Sequence, residues 1–119
     1  MHPEPSIART GLAFANAIVS GEFAAAHAML SDALRHEISA DDLRANYEQM
    51  LSYTKSPPDT IKLGQVLEPP ADVPGALGWA FVDIDGLHGV DACWLECVGV
   101  LVVNEGARQA IADIIWGRP

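Results

Sequence analysis

The chain has 119 residues, half of them hydrophobic, which is the composition of a folded protein with room for one domain and one core. No run approaches the roughly 20 apolar residues that a membrane span needs, so no membrane-spanning helix is expected. With 16 acidic and 7 basic residues the formal charge is −9, and because such a charge repels phosphate groups, nucleic-acid binding is not expected.

The start of the chain lacks the basic residues and apolar run of a signal peptide, so a cytoplasmic protein is expected. Residues 1–5 are expected to form a flexible tail. The remainder divides by pattern into a helical half, 6–53, and a sheet half, 60–116. With no internal repeat, residues 1–119 are expected to form a single domain.

Apolar residues recur at three- and four-residue spacing in the helical half, which predicts three helices. Ser6 is the predicted N-cap of the first helix, and Gly21 is predicted to end it. The second helix follows directly and continues through Leu34. Ser39 opens the third helix, because the sequence Ser-Ala-Asp-Asp is a variant capping box with Asp in the usual place of Glu or Gln.

Two adjacent prolines, Pro57 and Pro58, end the helical half. Long apolar segments then predict four strands, at residues 60–67, 76–84, 87–103 and 107–116. Asp85-Gly86 is the dipeptide favoured in a two-residue type I′ hairpin turn, and residues 104–106 form the next turn. Helices followed by strands predict an α+β fold, with three helices packed on a curved, mostly antiparallel sheet of about four strands.

The sequence Gly-Glu-Phe-Ala-Ala-Ala-His-Ala-Met-Leu-Ser at residues 21–31, preceded by a helix containing residues 14–19, resembles the start of nuclear transport factor 2-like proteins. The order of helices and strands extends this resemblance over nearly the whole chain. The resemblance implies a cone-shaped half-barrel around a cavity, and dimerisation through the sheet. The superfamily includes isomerases, dehydratases, polyketide cyclases, transport adaptors and bacterial immunity proteins, so the fold does not decide the function.

Alternation along the predicted hairpin assigns residues to the two faces of the sheet. One face carries three aromatic residues and three polar ones: Trp79, Phe81, Asp83, His88, Trp94 and Glu96. The opposite face is also mostly apolar, and a sheet that is apolar on both faces must be covered on both. Helices can cover only one of them, so a homodimer through the sheet is predicted.

Four residues are candidates for acid–base catalysis: Glu96, Asp83, His88 and Asp113. Carboxylates in an apolar pocket can act as general bases, which suits a lyase or isomerase. Asp113 joins the face of Glu96 only if the last loop has two residues. The alternatives are an exposed cross-strand pair for Asp83 and His88, a bulge or dimer contact for Glu96, and a protective edge charge for Asp113.

Five residues are predicted to line a site for an apolar small molecule: Trp79, Phe81, Trp94, His27 and Tyr47. His27 also suits a hydrogen-bonded core position, and the tyrosine hydroxyls are expected at the rim. No zinc or phosphate motif occurs, so neither a metal nor a cofactor is predicted. Cys93 and Cys97 are too far apart along one predicted strand to form a disulfide and are expected to be buried.

Three functions fit these patterns. The leading prediction is a homodimeric protein that binds a small molecule. The second is a lyase or isomerase that uses the strand carboxylates. The third is a protein-interaction module, such as an immunity protein, whose negative charge attracts a basic partner.

Overall fold

The computed structural model describes residues 4–54, 56–86 and 94–117. Its elements follow in the order α1 (Glu4–Val19), α2 (Phe23–Ala28), α3 (Asp32–Glu37), α4 (Ala40–Met50), β1 (Thr60–Leu67), β2 (Ala76–Gly86), β3 (Trp94–Glu105) and β4 (Arg108–Trp116). The strands form one antiparallel sheet with neighbours in chain order. The sheet is curved and does not close. The predicted α+β class, with helices followed by a four-stranded antiparallel sheet, is therefore confirmed.

Helix α1 begins at Glu4, three residues before the first helical position that an N-cap at Ser6 predicts. Ser6 therefore lies inside its first turn and is not the N-cap; its hydroxyl accepts a hydrogen bond from Gln109 Nε2 at 2.8 Å. Thr10, one turn later, donates to Gln109 Oε1 at 2.7 Å. Both bonds tie α1 to the edge strand β4. Gly21 follows the helix with φ of 77°, as expected for a residue that ends one.

Helix α1 packs directly on the sheet. A Cβ atom added at Gly11 would lie 2.7 Å from Ala80 Cβ, closer than such atoms approach in proteins. Glycine therefore permits the backbone of α1 to lie against β2. Around this contact the helices and one face of the sheet form the main core, whose fully buried large side chains include Phe14, Ile18, Leu43, Val82, Ile84, Val98, Val100 and Ile111.

The predicted second helix is divided into α2 and α3. Between them Leu30 forms a parallel bridge with Ile111 of β4. The amide of Ser31 donates to the carbonyl of Ile111 at 2.8 Å, and the amide of Ile111 donates to the carbonyl of Met29 at 3.0 Å. These backbone groups pair with the sheet and not with a helix, so the helix ends and begins again. Ser31 caps the new helix by accepting from the Leu34 amide.

The turn between β3 and β4 stabilises this interruption from the other side. Arg108 donates to the carbonyls of Ala28 and Leu30 at 3.3 and 2.9 Å, at the C-terminal end of α2. Glu105 accepts from the amide of Asp32 at 3.2 Å, at the N-terminal end of α3. Each charge thus lies at the helix end whose dipole it complements.

Helix α4 begins as predicted. The hydroxyl of Ser39 accepts from the amide of Asp42 at 3.1 Å, and the Asp42 carboxylate accepts from the amide of Ser39 at 2.9 Å, so the capping box is present. The variant with Asp at the third helical position therefore makes both reciprocal bonds.

The predicted hairpin turn at Asp85-Gly86 is wrong. Both residues belong to β2, where Asp85 pairs with Leu95 and Gly86 pairs with Trp94. Gly86 does not have the positive φ that a type I′ turn requires. It is needed for another reason: a side chain there would collide with the Trp94 indole. The connection between β2 and β3 falls in residues 87–93, outside the described residues.

This register changes which residues share a face. Phe81 pairs with Gly99, so the odd-numbered residues of β2 align with the odd-numbered residues of β3. The predicted face had combined odd residues of β2 with even residues of β3. Side chains still alternate between the faces along each strand, but each face now combines odd-numbered residues of β2 with odd-numbered residues of β3, or even with even.

Candidate functional site

The described helices pack on one face of the sheet. We call it the helix face; it carries Ala80, Val82 and Ile84 of β2 with Val98, Val100 and Val102 of β3, all in the main core. The other face, which we call the open face, has its own cluster of Leu101, Val103 and Ala110. Among the described residues, the hydrophobic side chains that pack against this cluster come from strands and from Val73 of the β1–β2 loop, and none comes from a helix.

The open face carries an aromatic pair at its centre. Trp79 and Phe81 are two residues apart on β2, and their rings stack with centroids 5.9 Å apart. The Phe81 ring lies over Gly99 of β3, where an added Cβ would be 2.5 Å from Phe81 Cε1. Gly99 thus lets the ring lie flat on the neighbouring strand, and Phe81 is only 4% exposed.

Two leucines add exposed apolar surface to this face. Leu67 pairs with Trp79 and is 43% exposed, and Leu95 pairs with Asp85 and is 40% exposed. They are among the few large hydrophobic side chains that the described residues expose. Leu95 shares the face of Trp79 because the odd-numbered residues of β3 align with the odd-numbered residues of β2.

The open face is also acidic. Asp83 and Asp85 lie two residues apart on β2, and Asp113 pairs with Leu101. Asp85 is buried and accepts a hydrogen bond from the Thr60 hydroxyl, whereas Asp113 is exposed. Lys62 pairs with Asp83 across β1 and β2. Carboxylates therefore border the apolar centre of the face.

The structure does not bring the predicted catalytic carboxylates together. Glu96 pairs with Ile84 and lies on the helix face, while Asp83 lies on the open face. Because Glu105 pairs with Arg108, the loop between β3 and β4 has two residues, the length that was predicted to place Asp113 on the same face as Glu96. A bulge then inserts one residue of β4, so Asp113 pairs with Leu101 and turns to the open face. His88 lies outside the described residues.

Glu96 occupies the end of the helix face, beyond α4. It is partly buried, between the buried residues Trp94 and Val98 of its own strand. The Tyr53 hydroxyl donates to Glu96 Oε2 at 2.6 Å. On the other side, a Cβ added at Gly117 would be 3.9 Å from Glu96 Oε1. Among the described lysine, arginine and histidine residues, none forms an ion pair with this carboxylate.

The buried Trp94 and the partly buried Trp116 lie on the same face of the sheet as Glu96. The Trp94 indole N–H donates to the Ser56 carbonyl and hydroxyl at 3.0 and 3.1 Å, which fixes the ring against the segment after α4. Trp116 pairs with Val98 and approaches Phe14 of α1, with ring centroids 6.5 Å apart. Because Trp94 lies on the helix face, the sheet separates it from Trp79 and Phe81, with which it was predicted to share a face.

His27 and Tyr47 lie in the helical layer. The carbonyl of Ile38 can only accept, so His27 Nε2 donates to it at 2.8 Å and joins α2 to the segment before α4. Tyr47 packs on Phe23, with centroids 6.3 Å apart, and burial raises the pKa of its hydroxyl. For His27 the structure supports the core reading that the sequence analysis kept open.

Sequence reasoning missed the pairing of Tyr53 with Glu96. It expected the tyrosine hydroxyls at the rim, and Tyr53 is 56% exposed, but nothing in the spacing related it to a strand carboxylate. Within residues 4–54, 56–86 and 94–117, no cluster of three or more His, Cys, Asp or Glu side chains could hold a metal ion. No helix in that part of the chain is long and apolar enough to cross a membrane.

Comparison with known proteins returned no match. The chain matches no protein-family model, no curated protein and no solved structure.

Proposed function

We propose that this protein is an association module that works as a homodimer through the open face of its sheet. One observation carries the proposal: the open face exposes Leu67 and Leu95 and carries the partly buried Trp79, and no described helix packs on it. Burying exposed apolar side chains such as Leu67 and Leu95 against a second copy would remove that surface from water. In an isologous dimer both copies contribute the same surface, so the open face alone can form the whole interface.

We also retain the nuclear transport factor 2-like superfamily and a cytoplasmic location as proposals. Four helices followed by a curved, unclosed antiparallel sheet support the superfamily. The proposed dimer agrees with what the resemblance implies. A catalytic function has less support, because Glu96 is separated from Asp83 and Asp113 by the sheet itself.

The dimer can be tested with two leucines of the same strand. Leu67→Glu puts a carboxylate on the open face, where it would be desolvated in the dimer and add to the acidic charge there. Leu63→Glu is the matched control, because Leu63 has a similar exposure of 37% but pairs with Val82 of the helix face. Sedimentation equilibrium should show a wild-type dimer, a Leu63→Glu dimer, and self-association at least about tenfold weaker in Leu67→Glu.

Equal weakening by both substitutions, or a wild-type protein that stays monomeric, would contradict the dimer. Added salt separates the homodimer from the interaction module. Salt screens repulsion between the acidic borders of two identical faces, so self-association should persist or strengthen. Binding of a basic partner to the same face should instead weaken with salt, because it depends on attraction.

Small-molecule binding on the helix face is a second candidate function. The specific observation that favours it is Glu96, a carboxylate within the apolar strand β3, whose described hydrogen-bond partner is a tyrosine hydroxyl. This site lies on the other side of the sheet from the proposed dimer interface, so the two functions can exist together.

A further inference from the structure

We propose that Glu96 and its aromatic neighbours bind a small organic cation with an apolar body, such as a primary amine. The proposal rests on the second candidate function, small-molecule binding on the helix face, and adds the charge and class of the ligand. It does not depend on the homodimer. The site consists of Glu96, Tyr53, Trp94, Trp116 and Gly117.

The Glu96 carboxylate lies in partly buried surroundings. Glu96 projects on the same face as buried Trp94 and Val98, so it is partly removed from water. A carboxylate in such surroundings favours an opposite charge and further hydrogen bonds. The Tyr53 hydroxyl supplies one hydrogen bond but no charge. None of the described cationic side chains pairs with Glu96, so a ligand cation would supply an ion pair that the described residues do not form with it.

The hydrogen-bonding geometry leaves a place for such a group. Tyr53 donates to Oε2 of Glu96 at 2.6 Å. Oε1 lies beside Gly117, which contributes no side chain and whose φ of 96° favours glycine. An ammonium group can therefore approach Oε1 while Tyr53 keeps Oε2, and a carboxylate has enough lone pairs to accept from both.

The surrounding side chains determine the rest of the ligand. Trp94 precedes Glu96 by two residues on the same face, and Trp116 pairs with the next residue of that face, Val98. Indole rings bind apolar groups and attract cations. The negative carboxylate disfavours an anion. These features together fit an aromatic or aliphatic amine.

Benzylamine, which is protonated at neutral pH, is a suitable probe, and benzyl alcohol is its neutral counterpart of the same size. Both would be titrated into the isotope-labelled full chain and followed by nuclear magnetic resonance. Benzylamine should shift the Trp94 indole N–H and the Gly117 amide. It should bind at least about tenfold more tightly than benzyl alcohol.

Two variants locate the preference. Glu96→Gln keeps the shape of the side chain but removes its charge, and should reduce the benzylamine-to-alcohol ratio to about one. Asp83→Asn makes the same change on the open face and should leave the ratio unchanged. The comparison of the two probes on the wild-type protein needs no variant, so it holds even if Glu96→Gln does not fold.

Equal binding of the two probes, no binding of either, or a preference that survives Glu96→Gln would overturn the proposal. So would benzylamine shifts confined to the open face. Sedimentation of the same samples separates the outcomes. If the protein is a monomer that prefers benzylamine, the homodimer proposal is wrong and the cation site is supported. If it is a dimer without that preference, the homodimer is supported and the cation-site proposal is wrong.

Discussion

Individual glycines in this protein have different physical roles that the sequence alone does not distinguish. Gly21 and Gly106 have positive φ and serve turns. Gly86 and Gly99 are strand residues that make room for Trp94 and Phe81. The sequence Asp85-Gly86 is typical of a hairpin turn, but the second role applies here. A dipeptide cannot distinguish the two roles, because the Trp94 indole that occupies the space belongs to another strand.

Tyr47 provides a prediction at the level of one side chain. Burial raises the pKa of its hydroxyl above the ordinary value of 10.0. Above that pH the unfolded chain loses this proton before the folded protein does, so the folded state binds more protons. The free energy of unfolding should therefore fall as the pH rises past about 10, by at most about 1.4 kcal/mol per pH unit from this group. At lower pH the hydroxyl is protonated in both states, so Tyr47 should add no pH dependence to the free energy of unfolding.

Denaturant unfolding at several pH values on both sides of this range would measure the effect. Tyr47→Phe should remove this part of the slope, since it keeps the ring and deletes the ionisable group. Equal slopes in the wild type and Tyr47→Phe would show that the prediction is wrong.

At the scale of elements, helices with a local signal were predicted well. The capping box at Ser39 and the end of α1 before Gly21 need only neighbouring residues, and both are present. The second helix was predicted as one piece because its apolar spacing continues to Leu34. Its interruption comes from Ile111, which follows by some 80 residues and takes the backbone groups of Met29 and Ser31.

Ser31 provides the prediction for this interruption. Its hydroxyl accepts from the Leu34 amide at 3.2 Å and the residue is 6% exposed. Ser31→Ala should lower the free energy of unfolding by about 1 kcal/mol, because the first turn of α3 loses its cap. Ser20→Ala, at an exposed position after α1, should change stability by less than about 0.5 kcal/mol. Chemical denaturation measures both, and an equal effect of the two substitutions would count against the cap.

For the whole molecule, the decisive feature is the difference between the two faces of the sheet. The helix face is closed by the main core, whereas the open face has a separate apolar cluster without helices. The sequence analysis predicted two apolar faces, and that prediction is confirmed. Which residues meet on each face depended on the register, and this is why the candidate site changed from one mixed cluster to two separate surfaces.

The proposed dimer predicts that thermal stability depends on protein concentration. If two folded copies associate and unfold as single chains, mass action raises the melting temperature as the concentration increases. The wild type and Leu63→Glu should both show this rise in calorimetry, and Leu67→Glu should show much less. A wild-type melting temperature that is constant over about a hundredfold range of concentration would rule out a stabilising dimer.

The sequence by itself determined the order of the elements, the fold class and the apolar character of both sheet faces, because helix periodicity, strand alternation and caps act between near neighbours. Only the tertiary structure decided the register of β2 with β3, the face of Asp113 and the pairing of Tyr53 with Glu96. The reason is geometric: side chains alternate with a period of two, so one shifted pairing or one bulge moves a residue to the opposite face.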